Sequence, residues 1–234
     1  MHVDAGRHPN RDPFTERTFM EKKPIEEIEL NKGEDELIAD IEQYCGHAIE
    51  LGASDARMVR AGDVPIDERV ALKCRIPVCF GYGTCANCPP HSLKPEETRK
   101  IALLYRYGVL MKLNVPPPVI VRDRETIKER VEAYKKVFDM VCRIESEAFY
   151  DGHYLSVGFA AGSCKSTFCY NVACTVLQGE KCRLALRARP SMEAVGIDCY
   201  RLATEQGWEI LPIGSDADAG CISHGTLMGL VFVD

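Results

Sequence analysis

Eight of the twelve cysteines fall into two sets of four. The first is Cys74, Cys79, Cys85 and Cys88, followed at once by Pro89, Pro90 and His91. The second is Cys164, Cys169, Cys174 and Cys182. Thiolates are soft, anionic ligands, and four of them in one glycine-containing loop can wrap a metal centre. Two such loops point to two centres. Disulfides are the competing use of clustered cysteines. The N-terminal stretch lacks the apolar core of a secretory signal, and in a reducing compartment clustered cysteines are metal ligands more often than disulfides. The expected location is the cytoplasm.

Spacing discriminates between metals. Structural zinc is usually held by two close pairs, as in C-x2-C. Only Cys85 and Cys88 make such a pair, and the second set has none. An iron–sulfur cubane is larger than an ion, so its ligands can be spread through a loop. A Cys-Pro step closes the cysteine run of bacterial ferredoxins, and Cys88-Pro89 has that form. Gly81 and Gly83 let the main chain fold closely enough to aim N–H groups at anionic sulfurs. The spacing therefore favours two [4Fe-4S]-type clusters, with zinc as the alternative.

Other residues could add to these sets. His91 could replace a thiolate, although a histidine in such a turn more often hydrogen-bonds to a carbonyl. Cys45, Cys142 and Cys199 lie on apolar helical positions and read as core residues. Cys221 lies in a loop three residues before His224, where it could serve a metal, act as a reactive thiol or simply pack. Arg183, Arg187 and Arg189, with Lys181, could stabilise an anionic cluster or receive an anionic cofactor, a small-molecule substrate or an acidic redox partner. A solvated face accounts for them equally well.

Composition bounds the rest. The chain has 234 residues, 46% of them hydrophobic and 27% charged, with a net charge of −6. That is enough for one substantial core. The negative balance argues against nucleic acid as the main partner. No run approaches the length of a membrane span. Neither G-x-G-x-x-G nor a P-loop is present, so nucleotide binding is unsupported.

The elements that must position the cysteines follow from periodicity. Residues 1–32 read as a polar N-terminal arm, either disordered or packed on a partner subunit, which allows a homodimer. Residues 33–234 read as a single α+β metal-binding domain. A helix is expected from Glu34 to just before Gly52, with Leu37, Ile41, Tyr44, Cys45, Ala48 and Ile49 on one face. Ala53–Arg60 and Val64–Val70 read as short strands, and Pro95–Leu104 as a helix. Tyr107–Val115 reads as a strand. The longest apolar stripe predicts a helix over Arg124–Tyr150, capped by Asp123. His153–Ala161 reads as a strand, Pro190–Gln206 as a helix, and Trp208–Pro212 and Thr226–Val233 as strands. The expectation is helices packed on one mixed or antiparallel sheet, with a ferredoxin-like core around residues 105–161 and two cysteine-rich loops.

Three strings carry a family resemblance: Asp67-Glu68-Arg69-Val70-Ala71-Leu72-Lys73-Cys74, Cys85-Ala86-Asn87-Cys88-Pro89-Pro90-His91, and Ala188-Arg189-Pro190-Ser191-Met192-Glu193-Ala194-Val195-Gly196-Ile197-Asp198. With them the chain, from about residue 34 onward, resembles a prokaryotic family of predicted metal-binding proteins. The resemblance implies a cytoplasmic, cysteine-rich protein of the kind common in anaerobes, with metal or iron–sulfur binding. It brings no reaction with it. It also implies a tighter second set, near C-x2-C-x2-C. The wider spacing here leaves room for Cys221 or Cys199 to replace one of the four.

The leading functional expectation is electron transfer by two iron–sulfur clusters. An iron–sulfur enzyme with a substrate-accessible iron, for desulfuration or reductive chemistry, is a second reading. A zinc-stabilised interaction module is a third.

Overall fold

Apart from Lys112, Asn114 and Thr226, the segments Tyr107–Val115 and Gly225–Val233 are apolar, as strands covered from both sides tend to be. The computed structural model, which describes residue 28 and residues 32–121, 125–214 and 217–234, makes them the two central strands of a sheet. The strands are β1 (Asp55–Arg60), β2 (Tyr107–Val115), β3 (Val157–Phe159) and β4 (Gly225–Val233). All pairings are antiparallel and the order is β1-β2-β4-β3. Tyr107 lies opposite Val233 and Val115 opposite Gly225.

Seven α-helices occur among the described residues: α1 (Glu34–Glu50), α2 (Glu68–Leu72), α3 (Pro95–Ala102), α4 (Pro117–Ile120), α5 (Ile127–Tyr150), α6 (Cys164–Phe168) and α7 (Cys199–Glu205). The long helix α5 joins β2 to β3, which run parallel with β4 inserted between them. This is the split β-α-β unit of ferredoxin-like sandwiches. Here the additional helix–strand pair, α1-β1, precedes that unit instead of following it.

Alternation along the central strands divides the core in two. Val109, Met111, Leu227 and Val231 face α1 and α5, meeting Leu37, Ile41, Tyr44, Phe138, Val141 and Ile144. Leu110, Met228, Leu230 and Phe232 face the opposite layer, with Met192, Ile197, Leu202 and Trp208.

The α+β expectation agrees with this architecture, and several local expectations need correction. Ile49 is 45% exposed, because α1 presents only Leu37, Ile41, Tyr44 and Ala48 fully inward. Val64–Val70 is no strand: Ile66 makes one bridge to Ile197, and Asp67 then caps α2 by accepting from Arg69 N–H. The predicted helix from Pro190 begins only at Cys199, where Asp198 is the N-cap. The buried segment after α5 is a strand only over Val157–Phe159. Trp208–Pro212 makes no ladder; Trp208 is held by its side chain, Nε1 donating to Asp55 Oδ2 (2.7 Å). Ile127 is half exposed, and Asp123 and Arg124 lie outside the described residues, as does residues 1–32 apart from Ile28 and Lys32.

Candidate metal centre

The two cysteine loops are tied to each other. The first leaves α2 and ends before α3. Asp67 N–H donates to Gly196 O and Asp198 N–H to Pro65 O, both at 2.8 Å, while Ser92 Oγ–H donates to Ala194 O (3.0 Å). The three strings quoted from the sequence are thereby brought together, although the helices and strands from α3 to α6 lie between the last and the others. The two cis prolyl bonds among the described residues, Ile76-Pro77 and Pro89-Pro90, lie in this first loop.

The second loop starts where β3 ends. Ala160 N–H donates to Pro190 O (2.9 Å) and Met192 N–H to Ala160 O (3.0 Å), so the two ends of the loop are laced together. Gly162 turns the chain at φ +67°, against the Tyr134 ring, where a Cβ would stand only 2.6 Å from Cε1. Ser163 then caps α6 through Lys165 N–H. From α6, Phe168 packs edge-on against Phe138 of α5, with centroids 5.1 Å apart.

The basic residues beyond Cys182 divide by role. Arg187 lies over the Phe168 ring at 4.9 Å and pairs with Asp139 at 2.7 Å. Arg189 pairs with Glu145 at 2.6 Å. Both carboxylates belong to α5, so these two arginines fasten the loop to the scaffold. Arg183 instead donates to Ala173 O (2.9 Å) and lines a small cavity with the cysteines.

That cavity, of about 30 Å³, is ringed by Cys164, Cys169, Cys174 and Cys182, by Cys85 from the first set, and by Lys165, Thr175 and Arg183 among others. All four cysteines of the second set thus line one space. Cys85 Sγ stands 4.0 Å from Cys164 Sγ, and the Ser163 hydroxyl lies 3.8 Å from Cys85 Sγ and 3.3 Å from Cys88 Sγ. The two sets therefore share a wall made of Cys85, Cys88, Ser163 and Cys164. Cys74, Cys79 and Cys88 do not line the cavity. Among the described residues no three His, Cys, Asp or Glu side chains converge closely enough to hold a single metal ion.

Donors are aimed at the sulfurs. Gly81 N–H donates to Cys79 Sγ (3.5 Å), Leu184 N–H to Cys182 Sγ (3.4 Å), and the Asn87 side-chain amide to Cys164 Sγ (3.5 Å). On Cys164 the bond from Asn87 favours the thiolate. Where the sets meet, hydrogen bonds from Cys164 and Cys88 hold the Cys85 thiol far below its ordinary range. The same contacts with Cys85, followed by burial, push Cys88 and Cys164 upward. Burial, then the nearby Cys79, raises Cys74. Half-buried thiols, ringing a space and supplied with N–H donors, form a donor set suited to a soft, thiolate-ligated metal group.

The remaining candidates lie elsewhere. His91 is exposed, and its backbone N–H donates to Cys88 O (3.0 Å). Cys221 is exposed in a turn packed near α4, its thiol 3.5 Å from Asp218 Oδ2, and it does not line the cavity. Cys199 is buried with its thiol toward Ile197 O, and the Cys142 thiol donates to Arg187 O (3.3 Å). Cys45 packs against the α1–α5 core. Ser163, Asn87 and Lys165 were not singled out by sequence. Their only signal was adjacency to cysteines, and for Ser163 an N-cap residue type before a short helix.

No helix among the described residues is long and apolar enough to cross a membrane. A family model described as a predicted metal-binding protein (DUF2284) matches residues 57–233. No curated protein matches the chain. No solved structure matches it either.

Proposed function

Because the chain belongs to the DUF2284 family of predicted metal-binding proteins, we propose that it is a cytosolic iron–sulfur protein whose two cysteine loops hold two [4Fe-4S]-type clusters for electron transfer. One observation carries this reading: Cys164, Cys169, Cys174 and Cys182 surround a single space with Cys85 at its edge, instead of meeting at a point. Donors that ring a space suit a group larger than an ion. The N–H donors on Cys79, Cys164 and Cys182 are of the kind that set a cluster's reduction potential. The first set would hold its cluster through Cys74, Cys79, Cys88 and Cys85, and the second through Cys164 to Cys182. The shared wall would place the clusters close enough for an electron to pass between them.

The test is iron and acid-labile sulfide content after anaerobic purification, with EPR of the reduced protein. About eight of each per chain is expected for two four-iron clusters. A colourless protein containing only zinc would overturn the reading.

Zinc is the second reading, and a specific distance favours it. A Zn–S bond of about 2.3 Å places neighbouring sulfurs of a tetrahedron about 3.8 Å apart. Cys85 and Cys164 lie 4.0 Å apart. A zinc-stabilised module would be redox-silent and would lose structure in chelator without ever showing sulfide.

A further inference from the structure

Charge is distributed very unevenly in this chain. Between Arg69 and Lys94, and again between Ser163 and Met192, there are nine lysines and arginines and one acidic residue, Glu180, in a chain whose net charge is −6. Arg69, Arg187 and Arg189 are committed to Asp67, Asp139 and Glu145. Lys73, Arg75 and Lys181 are exposed and form no ion pair among the described residues. The loops that carry the cysteines are therefore a basic island on an acidic molecule.

The same loops expose large apolar side chains. Val78 is 73% exposed, Phe80 61%, Tyr170 77% and Leu186 86%. Half of the large exposed hydrophobic residues described in the chain lie in these two loops. Exposed apolar side chains interspersed with cations along the same two loops, which meet at a candidate redox site, have the make-up of a transient protein interface.

We propose that the two cysteine loops are the docking surface for a small electron-carrier protein with an acidic face. The inference rests on the iron–sulfur reading above and names the partner of that same site. Charge selects the occupant. A second copy meeting this face across a two-fold axis would set Lys73, Arg75 and Lys181 opposite their own kind, which is repulsive. A phosphate backbone would match the cations but offer nothing to Val78, Phe80 and Leu186. An acidic protein surface with an apolar centre satisfies both.

The experiment uses the full-length, anaerobically purified chain and a small acidic ferredoxin as probe. Affinity is measured by titration calorimetry at about 0.02 M and about 0.2 M salt, where screening differs strongly. Binding should weaken about tenfold or more with salt, and Lys73→Glu/Arg75→Glu/Lys181→Glu should weaken it about as much at low salt. A basic cytochrome c should not bind. The inference is overturned if the wild-type chain does not bind the acidic probe at low salt, if charge reversal leaves affinity unchanged, or if the cytochrome binds equally well. It is equally overturned if anionic vesicles or duplex DNA bind more tightly than the ferredoxin, or if the chain sediments as a dimer that the triple variant dissociates. Iron and sulfide are assayed in each sample. A metal-free chain that still binds the probe would sink the iron–sulfur reading alone, whereas a loaded chain that ignores it would sink the docking surface alone.

Discussion

The hydroxyl of Ser163 lies between the two cysteine sets, 3.3 Å from Cys88 Sγ and 3.8 Å from Cys85 Sγ. In the iron–sulfur reading proposed above the sulfurs would be metal-bound thiolates, so the hydroxyl could only donate, and each hydrogen bond to a ligand sulfur would favour the reduced cluster. Ser163→Ala is expected to lower a midpoint potential by about 20–60 mV, the one-electron equivalent of about 0.5–1.5 kcal/mol. A redox titration followed by EPR checks this, at unchanged iron content; an unmoved potential would separate Ser163 from the clusters. The thiols outside the sets make a second prediction. Burial pushes Cys45 up to about 11 and Cys142 up to about 12, and raises Cys199 far above its ordinary 9.0. The folded chain keeps these protons at a pH where the unfolded chain releases them. Their contribution to stability is thus complete below about pH 9 and declines as pH rises toward 11–12, by up to about 1.4 kcal/mol per pH unit for each thiol. Urea unfolding at pH 8 and pH 10 measures the decline, and Cys142→Ala should reduce it.

At the scale of elements, α5 does more than cover the sheet. Gly158 of β3 lies under it, and a Cβ there would stand 2.5 Å from Val141 Cγ1 and 2.8 Å from Glu145 Oε2. Glu145 is also the anchor of Arg189, so the same glycine sets both the helix–sheet distance and the seating of the second loop. Gly158→Ala should cost about 1–3 kcal/mol through overpacking, measured as a fall in the denaturation midpoint. Arg189→Met, which leaves the backbone approach alone, should loosen the loop with a smaller loss. Periodicity reads such elements well when burial is one- or two-sided along their whole length. Tyr107–Val115 was legible to the residue, because every second position from Tyr107 to Val115 is apolar and buried in one core, and Leu110 is buried in the other. It fails where a side chain, not a ladder, does the anchoring. Trp208 is buried through its indole and the bond to Asp55, so its apolar neighbours imitated a strand. It fails again at Asp67, whose capping converts a β-rich string into α2. The candidate site was half legible. The sequence separates eight cysteines by loop, but Cys85 and Cys164, 79 residues apart, meet only because both loops are laced to the same strings.

For the whole molecule, the division of labour is between two apolar layers and the loops they carry. Of the eight clustered cysteines none is a buried member of either core cluster, and Cys164 only packs against one. Removing metal should therefore leave the sheet standing. After anaerobic chelation, amide exchange is expected to quicken about tenfold or more over residues 74–91 and 162–189, while β2 and β4 stay protected. Loss of protection throughout would instead make the metal a condition of folding. The inserted strand has a consequence in time. Of the four strands β4 is the last to leave the ribosome, yet it fills the gap between β2 and β3 on which both loops depend. During synthesis every cysteine of the two sets emerges before the platform that sets their spacing is complete. A cofactor delivered to the nascent chain would find eight loose thiols and no template. Delivery is then expected after translation, to a finished scaffold that waits with its ligands already in place.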